Sequence, residues 1–314
     1  MRILFISSHY DGGVGRHVTV LSSLLSNYGY NVSKMIIPHI PIKNYKNPSF
    51  ALFSAIKSII DWRKYDIVHA FNVPSAFAMK YTNATKRVIS VHGVFQDQIK
   101  VLHSKPLSYI SNKTEYRALN WADVRTTDSM ASKNRYKELG FDFEYFPSPL
   151  DLTLFEKIPE VVKKKKQVAY VGRDSYEKGI DLLRKIEPDI KGDVVYCTDM
   201  PWEEAMKVLK SSTVTVLPSR YESLSSTIKE AFFFKVPVVA TNVGGNPELI
   251  THGKTGYLVE SENEKQLLDS INNILKDPDS TKIVTENAHK FLVENMTWDI
   301  ILPKYIKFYN DLLK

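Results

Sequence analysis

Apolar and polar positions in the first half of the chain switch between two periods. Residues 2–7 read as a strand buried on both faces, from the continuous apolar run at 3–6. A glycine-rich turn follows at Gly12, Gly13 and Gly15. From 18 to 28 the apolar positions recur at helical spacing (Val18, Leu21, Leu24, Leu25). The same reading predicts strands over 30–37, 66–70 and 87–91, with helices over 51–62 and 76–82. The pattern restarts after 156–166, where Pro159 and the like-charged run 163–166 mark a linker. Strands are then predicted at 168–171, 193–197, 214–217 and 236–240. Helices are predicted from Lys178 or Gly179, at 202–210, 227–234, 264–276 and 280–294, and as a closing amphipathic helix over 297–313. Strand–helix repetition at this pitch implies an α/β chain of two domains, each a parallel sheet flanked by helices. Open parallel sheets bind ligands beyond the carboxyl ends of their strands. Chemistry is therefore sought in the loops after Ser7, Ala70, Val91, Val171, Leu217 and Ala240, and two such sheets facing each other would place a site between them.

Composition narrows this picture. With 43% hydrophobic and 25% charged residues over 314 positions, the chain is neither disordered nor a coiled-coil rod. No apolar run approaches the roughly 18–20 residues of a membrane-spanning helix, and the opening apolar run is too short for a signal peptide. The one cysteine, Cys197, excludes an intrachain disulfide and a cysteine zinc cluster, and suits a reducing, cytoplasmic setting. The net charge of +7 resides wholly in residues 1–160. A basic half suits lipid headgroups, nucleic acid or a phosphorylated substrate, or is simply a solvated surface. The predicted helix 51–62 is apolar with a single lysine over its first ten residues; a core helix is the favoured reading, a bilayer-docked one the alternative.

Several motifs fail. Gly13-Val-Gly15 lacks the third glycine of a dinucleotide fingerprint. Gly253-Lys254-Thr255 lacks the glycine five residues earlier that a P-loop requires; Glu248 stands there. Asp277-Pro278-Asp279 has the spacing of a metal-holding carboxylate pair but reads as a helix start.

One constellation holds. Glu222 follows a predicted strand, and Glu230 comes eight residues later, beyond Ser225, Ser226 and Thr227. If helical, eight residues advance about 12 Å, so two such carboxylates could meet opposite ends of an elongated ligand, with helix-start N–H groups meeting an anion between them. A nucleotide sugar fits that layout. The plainer alternative is a capping box in which Glu230 serves Thr227. Gly172-Arg173 leaves another strand and Lys178-Gly179 opens the next helix. Two cations there oppose the helix dipole and make sense around a phosphate, or else are surface charges. His92 stands at a strand end, facing ligand or donating to a core carbonyl. His69 stands in the same kind of place; His9 and Arg16 flank the first glycine loop; His17 reads as a helix-surface residue.

Taken together, these blocks resemble the family-4 retaining glycosyltransferases. The resemblance rests on Gly12-Gly13, Asp66-Ile-Val-His69, His92-Gly93, Gly172-Arg173 with Lys178-Gly179-Ile-Asp181, and Glu222 with Glu230-Ala231. It continues through Pro237-Val-Val-Ala240 with Gly244-Gly245-Asn-Pro247-Glu248, and through Gly253 with Gly256-Tyr-Leu-Val259. It implies the GT-B fold: two Rossmann-like domains facing a cleft, at 1–158 and 159–296, and a terminal helix 297–314 returning to the first. It implies a metal-independent hexosyltransferase moving sugar from a nucleoside diphosphate sugar to an acceptor hydroxyl. Arg173 and Lys178 would bind the diphosphate, Glu230 the ribose, Glu222 and His92 the donor sugar. Gly12, Gly13, Gly172, Ser225, Ser226 and Thr227 would let backbone and small side chains approach. No cofactor or metal is expected. The acceptor would be lipid-linked or a glycan, with peripheral contact to an anionic membrane, no nucleic acid, and a cytoplasmic location. A GT-B epimerase or hydrolase and a non-catalytic sugar-binding protein remain the alternatives. The family's usual motifs differ here at Ser148-Pro149-Leu150-Asp151 and at Ser223-Leu224-Ser225.

Overall fold

A computed structural model describes residues 1–8, 12–37, 40, 46–94, 97 and 105–314, with backbone only for 12 and 105–111. The chain divides into two units. The first comprises Met1–Ser148 together with Ile301–Lys314, the second Pro149–Ile300.

In the first unit, strands β1 (Arg2–Ile6), β2 (Asn31–Met35), β3 (Tyr65–Ala70), β4 (Ala84–Val91), β5 (Val124–Thr127) and β6 (Glu144–Tyr145) form one sheet in the order β2-β1-β3-β4-β5-β6. Every pairing is parallel. β1 is buried at Ile3, Leu4, Phe5 and Ile6 because helices cover both faces. The order reverses between β1 and β3, which makes a topological switch point there. The chain end docks on this unit. Tyr309 donates or accepts at His69 Nδ1 (2.7 Å), Tyr30 donates to Asn310 (2.9 Å), and Tyr305 stacks on Phe146 at 4.6 Å.

In the second unit, β7 (Gln167–Val171), β8 (Asp193–Cys197), β9 (Val214–Leu217), β10 (Val238–Thr241) and β11 (Tyr257–Val259) are ordered β11-β10-β9-β7-β8, again all parallel. The switch point lies between β7 and β9. Leu150, Phe155 and Ile158 belong to its core, and Leu150 N donates to Met296 O at 2.7 Å. Asp151, in the variant Ser-Pro-Leu-Asp block, caps the short helix Leu152–Glu156 through Thr153. Leu224 of the other variant block is buried in the same core.

The sequence-based elements hold at 193–197, 214–217 and 264–276 and shift by a few residues elsewhere. Three corrections matter. Gly12 and Gly13 lie not in a loop but in the first turn of helix Gly12–Asn27. His17 is not on that helix's surface: it is buried, with its ring between Tyr305 (3.2 Å) and Ser148 (3.3 Å). The helix read at 51–62 spans Lys46–Ile60; it buries Ser49, Phe50, Ser54 and Ser58 and leaves Leu52, Phe53, Ile56, Ile59 and Ile60 exposed, so it is not the core helix its apolar content favoured. Among the described residues no helix is long and apolar enough to cross a membrane. Asp277 caps the turn Pro278–Thr281 and Asp279 pairs with Lys282 at 3.0 Å, so this carboxylate pair serves helix termini.

Candidate functional site

The second unit gathers its candidates at the carboxyl ends of β7, β9 and β10. β7 ends at Val171, and the turn beyond it carries Gly172, Arg173 and then the 3-10 turn Tyr176–Lys178. Gly179 closes that turn at φ +65°. A Cβ there would stand 1.9 Å from Pro218 O, so only glycine lets this loop lie against the one after β9. That second loop holds Ser219, Arg220 and Glu222. The loop after β10 is pressed on it at Gly244 (φ +52°), where a Cβ would stand 1.8 Å from Glu222 O. Arg220 N and Tyr221 N donate to Glu177 O, and Gly245 N donates to Ser223 O. Three strand-end loops are thus locked together by backbone.

Lys178 Nζ donates to Glu222 Oε1 at 2.8 Å, and Ser219 Oγ donates to the same oxygen at 2.9 Å. The Glu222 side chain is 8% exposed and that of Lys178 24%. Arg173 pairs with the buried Glu177, its own side chain reaching largely into solvent. The two cations are therefore neither unpaired nor both on the surface: each already holds a carboxylate. A ligand anion at this point would share or displace those partners.

Ser225 caps helix Ser226–Phe233, its Oγ accepting from Ile228 N. Ile228, not Glu230, occupies the third helical position, so the Thr227–Glu230 capping box does not form. Thr227 Oγ1 instead donates to Val171 O at 3.3 Å, tying the helix start to the end of β7. Glu222 precedes the helix, so the eight-residue helical rotation to Glu230 does not apply. Glu230 is buried on the helix and Ser226 is exposed at its first position. Gly172 tolerates a Cβ at ordinary contact distance from Tyr170, so steric demand does not explain that glycine.

Sequence reasoning missed the Arg220 cluster. Its guanidinium binds Asp181 at 2.6 and 2.8 Å, pairs with Glu262, donates to Tyr176 O and lies 3.8 Å over the Tyr176 ring. The hydrogen bonds to Asp181 hold Arg220 above its usual pKa, and those same bonds hold Asp181 below the ordinary carboxylate value. The signal was present in Asp181, within a quoted motif, but only the fold brings Arg220 to it. Burial raises the Cys197 thiol to about 11, which makes it inert.

In the first unit, His92 follows β4. Its Nδ1 lies 3.0 Å from Asp128 Oδ2, beyond β5, and its Nε2 is buried with no hydrogen-bond partner among the described residues. The ring lies 6.1 Å from that of His17. His69, by contrast, is a satisfied core histidine, with Nδ1 on Tyr309 and Nε2 on Ser90 at 2.6 Å. Burial, with a smaller contribution from His92, pushes its pKa down to about 3. Arg16 is half-buried on the first helix, and His9 lies outside the described residues.

Two doubly wound parallel sheets, the second with its charged side chains gathered at the switch point, define a Rossmann-type α/β protein. Residues 187–291 match the glycosyl transferases group 1 and residues 11–154 match glycosyltransferase family 4. An uncharacterised glycosyltransferase of Methanocaldococcus jannaschii is 23% identical over 98% of both chains. N-acetyl-alpha-D-glucosaminyl L-malate synthase of Bacillus anthracis is 32% identical over 36% of this chain and 29% of its own. Sucrose-phosphate synthase of Thermosynechococcus elongatus superimposes with a TM-score of 0.81 over 99% of both chains at 19% identity. HepE of Anabaena, solved with UDP-glucose, superimposes at 0.71 over 99% of this chain and all of its own at 15% identity. The chain belongs to the group 1 glycosyltransferases of family 4, and its fold is that of GT-B enzymes.

Proposed function

We propose that this glycosyltransferase moves a hexosyl group from a nucleoside diphosphate sugar to an acceptor hydroxyl, with retention of anomeric configuration and without a metal. The observation that carries the reading is the Lys178–Glu222–Ser219 cluster at the β7/β9 switch point, with Arg173 in the same loop as Lys178. HepE holds UDP-glucose, and starch synthase IV of Arabidopsis thaliana holds ADP and acarbose, on the same fold.

When the glycosidic bond to the diphosphate breaks, negative charge builds on the leaving phosphate. Lys178 and Arg173 are the cations that would neutralise it, and the N-terminus of helix Ser226–Phe233 adds the positive end of its dipole. Glu222, once it shares Lys178 with phosphate, has acceptor oxygens for donor-sugar hydroxyls. Glu230 serves the ribose. In the first unit, Asp128 accepts from His92 Nδ1–H and thereby leaves Nε2 as an acceptor for a sugar hydroxyl. The acceptor is assigned to the lipid-linked or glycan class.

The test is a panel of UDP-, GDP- and ADP-sugars with chelator present, read by thermal shift and by slow release of nucleotide. Stabilisation by one nucleotide with chelator-insensitive turnover supports the reading. Proton NMR of the product's anomeric centre decides retention. Absence of response to every donor, with and without divalent cation, overturns it.

A further inference from the structure

The helix Lys46–Ile60 is amphipathic the wrong way round. At 100° per residue, Leu52, Phe53, Ile56, Ile59 and Ile60 fall within an arc of about 120°, and all five are exposed, Ile60 to 67%. The opposite face, at four-residue spacing, carries Phe50, Ser54 and Ser58, all buried. Ser58 meets Thr82 Oγ1 at 3.3 Å and Met35 Sδ at 4.0 Å, so the small residues give the helix its seat. A surface helix ordinarily turns its apolar stripe inward. Here the stripe is spent on the outside, and Trp62, two residues beyond the helix, is 90% exposed. An outward patch of this extent marks an interaction site.

Charge selects the occupant. On the same helical wheel Lys46 and Lys57 fall together along one edge of the apolar arc, and Arg63 and Lys64 follow Trp62. The single acid between 46 and 64 is Asp61, whose carboxylate is clamped by Arg63 through two 2.8 Å bonds and is 12% exposed. The whole net charge of +7 resides in this half of the sequence. Apolar side chains on one arc, lysines at its margin and a tryptophan at its end are the features of a helix lying in a lipid headgroup layer. We propose that Lys46–Ile60 lies in the plane of an anionic membrane, with Leu52, Phe53, Ile56, Ile59, Ile60 and Trp62 immersed. Binding of this kind needs neither nucleotide nor acceptor.

The experiment is co-sedimentation of the full chain with phosphatidylglycerol–phosphatidylcholine vesicles and with phosphatidylcholine alone, following Trp62 emission in parallel. Binding to the anionic vesicles with a blue shift that is lost in Trp62→Phe is expected. Ile56→Ser/Ile60→Ser should weaken partitioning at least about tenfold, and Lys46→Gln/Lys57→Gln should weaken it on anionic vesicles by about thirtyfold. Neither variant should lower the thermal midpoint by more than a few degrees, because Ile56, Lys57 and Ile60 are exposed and glutamine keeps most of the packing of the half-buried Lys46. No binding to anionic vesicles overturns the proposal, as does binding that both variants retain. So does a dimer in solution that Ile56→Ser/Ile60→Ser converts to monomer, which would make the occupant a second copy.

Discussion

Replacing Lys178 by methionine tests the centre of the proposed site. The residue's Nζ stands 2.8 Å from a Glu222 oxygen, with side-chain exposures of 24% and 8%. A unit-charge pair about 4 Å apart in an effective dielectric near 20 attracts by about 4 kcal/mol. Desolvation of both groups and the residual water at Lys178 reduce this to the about 1.5–3 kcal/mol typical of a charge-assisted bond. Lys178→Met leaves the Glu222 carboxylate in its buried place on the Ser219 hydroxyl. The variant should therefore unfold more easily by about 1.5–3 kcal/mol. Adding Glu222→Gln removes the stranded charge and should recover much of the loss, giving a coupling energy of about 1–3 kcal/mol. Urea unfolding of the four proteins in the cycle measures it, following each transition separately if the two units melt apart. The functional arm is nucleotide affinity by calorimetry. If Lys178 binds the donor phosphate, the single variant binds about 10–150-fold more weakly. Single variants that add to within about 0.5 kcal/mol refute the ion pair as an energetic unit. Coupling with unchanged nucleotide affinity keeps the pair but refutes its role at the phosphate.

Other consequences follow from particular residues. Gly179→Ala puts a Cβ 1.9 Å from Pro218 O in a left-handed backbone, so it should cost at least about 2 kcal/mol by thermal or urea unfolding; a midpoint equal to the native one would show that the loop contact is not enforced. Gly13→Ala has nothing within 4 Å of its added methyl and lies in a helix, so it should raise stability by up to about 1 kcal/mol while lowering transferase turnover, and unchanged turnover removes Gly13 from the ligand's path. His69 titrates near 3 when folded and near its ordinary 6.5 when unfolded, so the unfolded chain binds the extra proton between those values and stability falls as pH drops. From pH 7.5 to 5.0 this group should remove about 2 kcal/mol; equal pH slopes for the native chain and His69→Asn in urea titrations would contradict it. Asp128→Asn can donate to His92 Nδ1 and so favours the Nε2–H tautomer, which should lower kcat/KM by at least about tenfold and move the His92 ring-nitrogen NMR shifts. Lost activity with unmoved shifts would make Asp128 a merely structural residue.

The alternation of strands and helices, the parallel sheets and the loops in which charged residues accumulate were legible in local pattern alone. Short buried runs such as Val214–Leu217 and strong amphipathic patterns such as Glu264–Lys276 are set by local periodicity, which needs no tertiary context. The sequence did not reveal helix Lys105–Asn120, rich in polar residues, or strand Val124–Thr127, which is apolar only at Val124, because neither carries a clean period. It named Lys178, Glu222, Arg173 and Glu230 by type and spacing. Only the folded chain pairs Lys178 with Glu222, 44 positions apart, because the loops after β7 and β9 meet at the switch point, whereas Glu177 and Ser219 are local partners within their own loops. Burial was likewise undecidable from the chain alone. His69 and His17 are satisfied by Tyr309 and Tyr305, more than 200 residues away. The orientation of helix Lys46–Ile60 rests on serines that pack as closely as they do only because Met35 and Thr82 lie beneath them. Periodicity states that a helix has two faces; which face meets protein depends on the surface it is laid against.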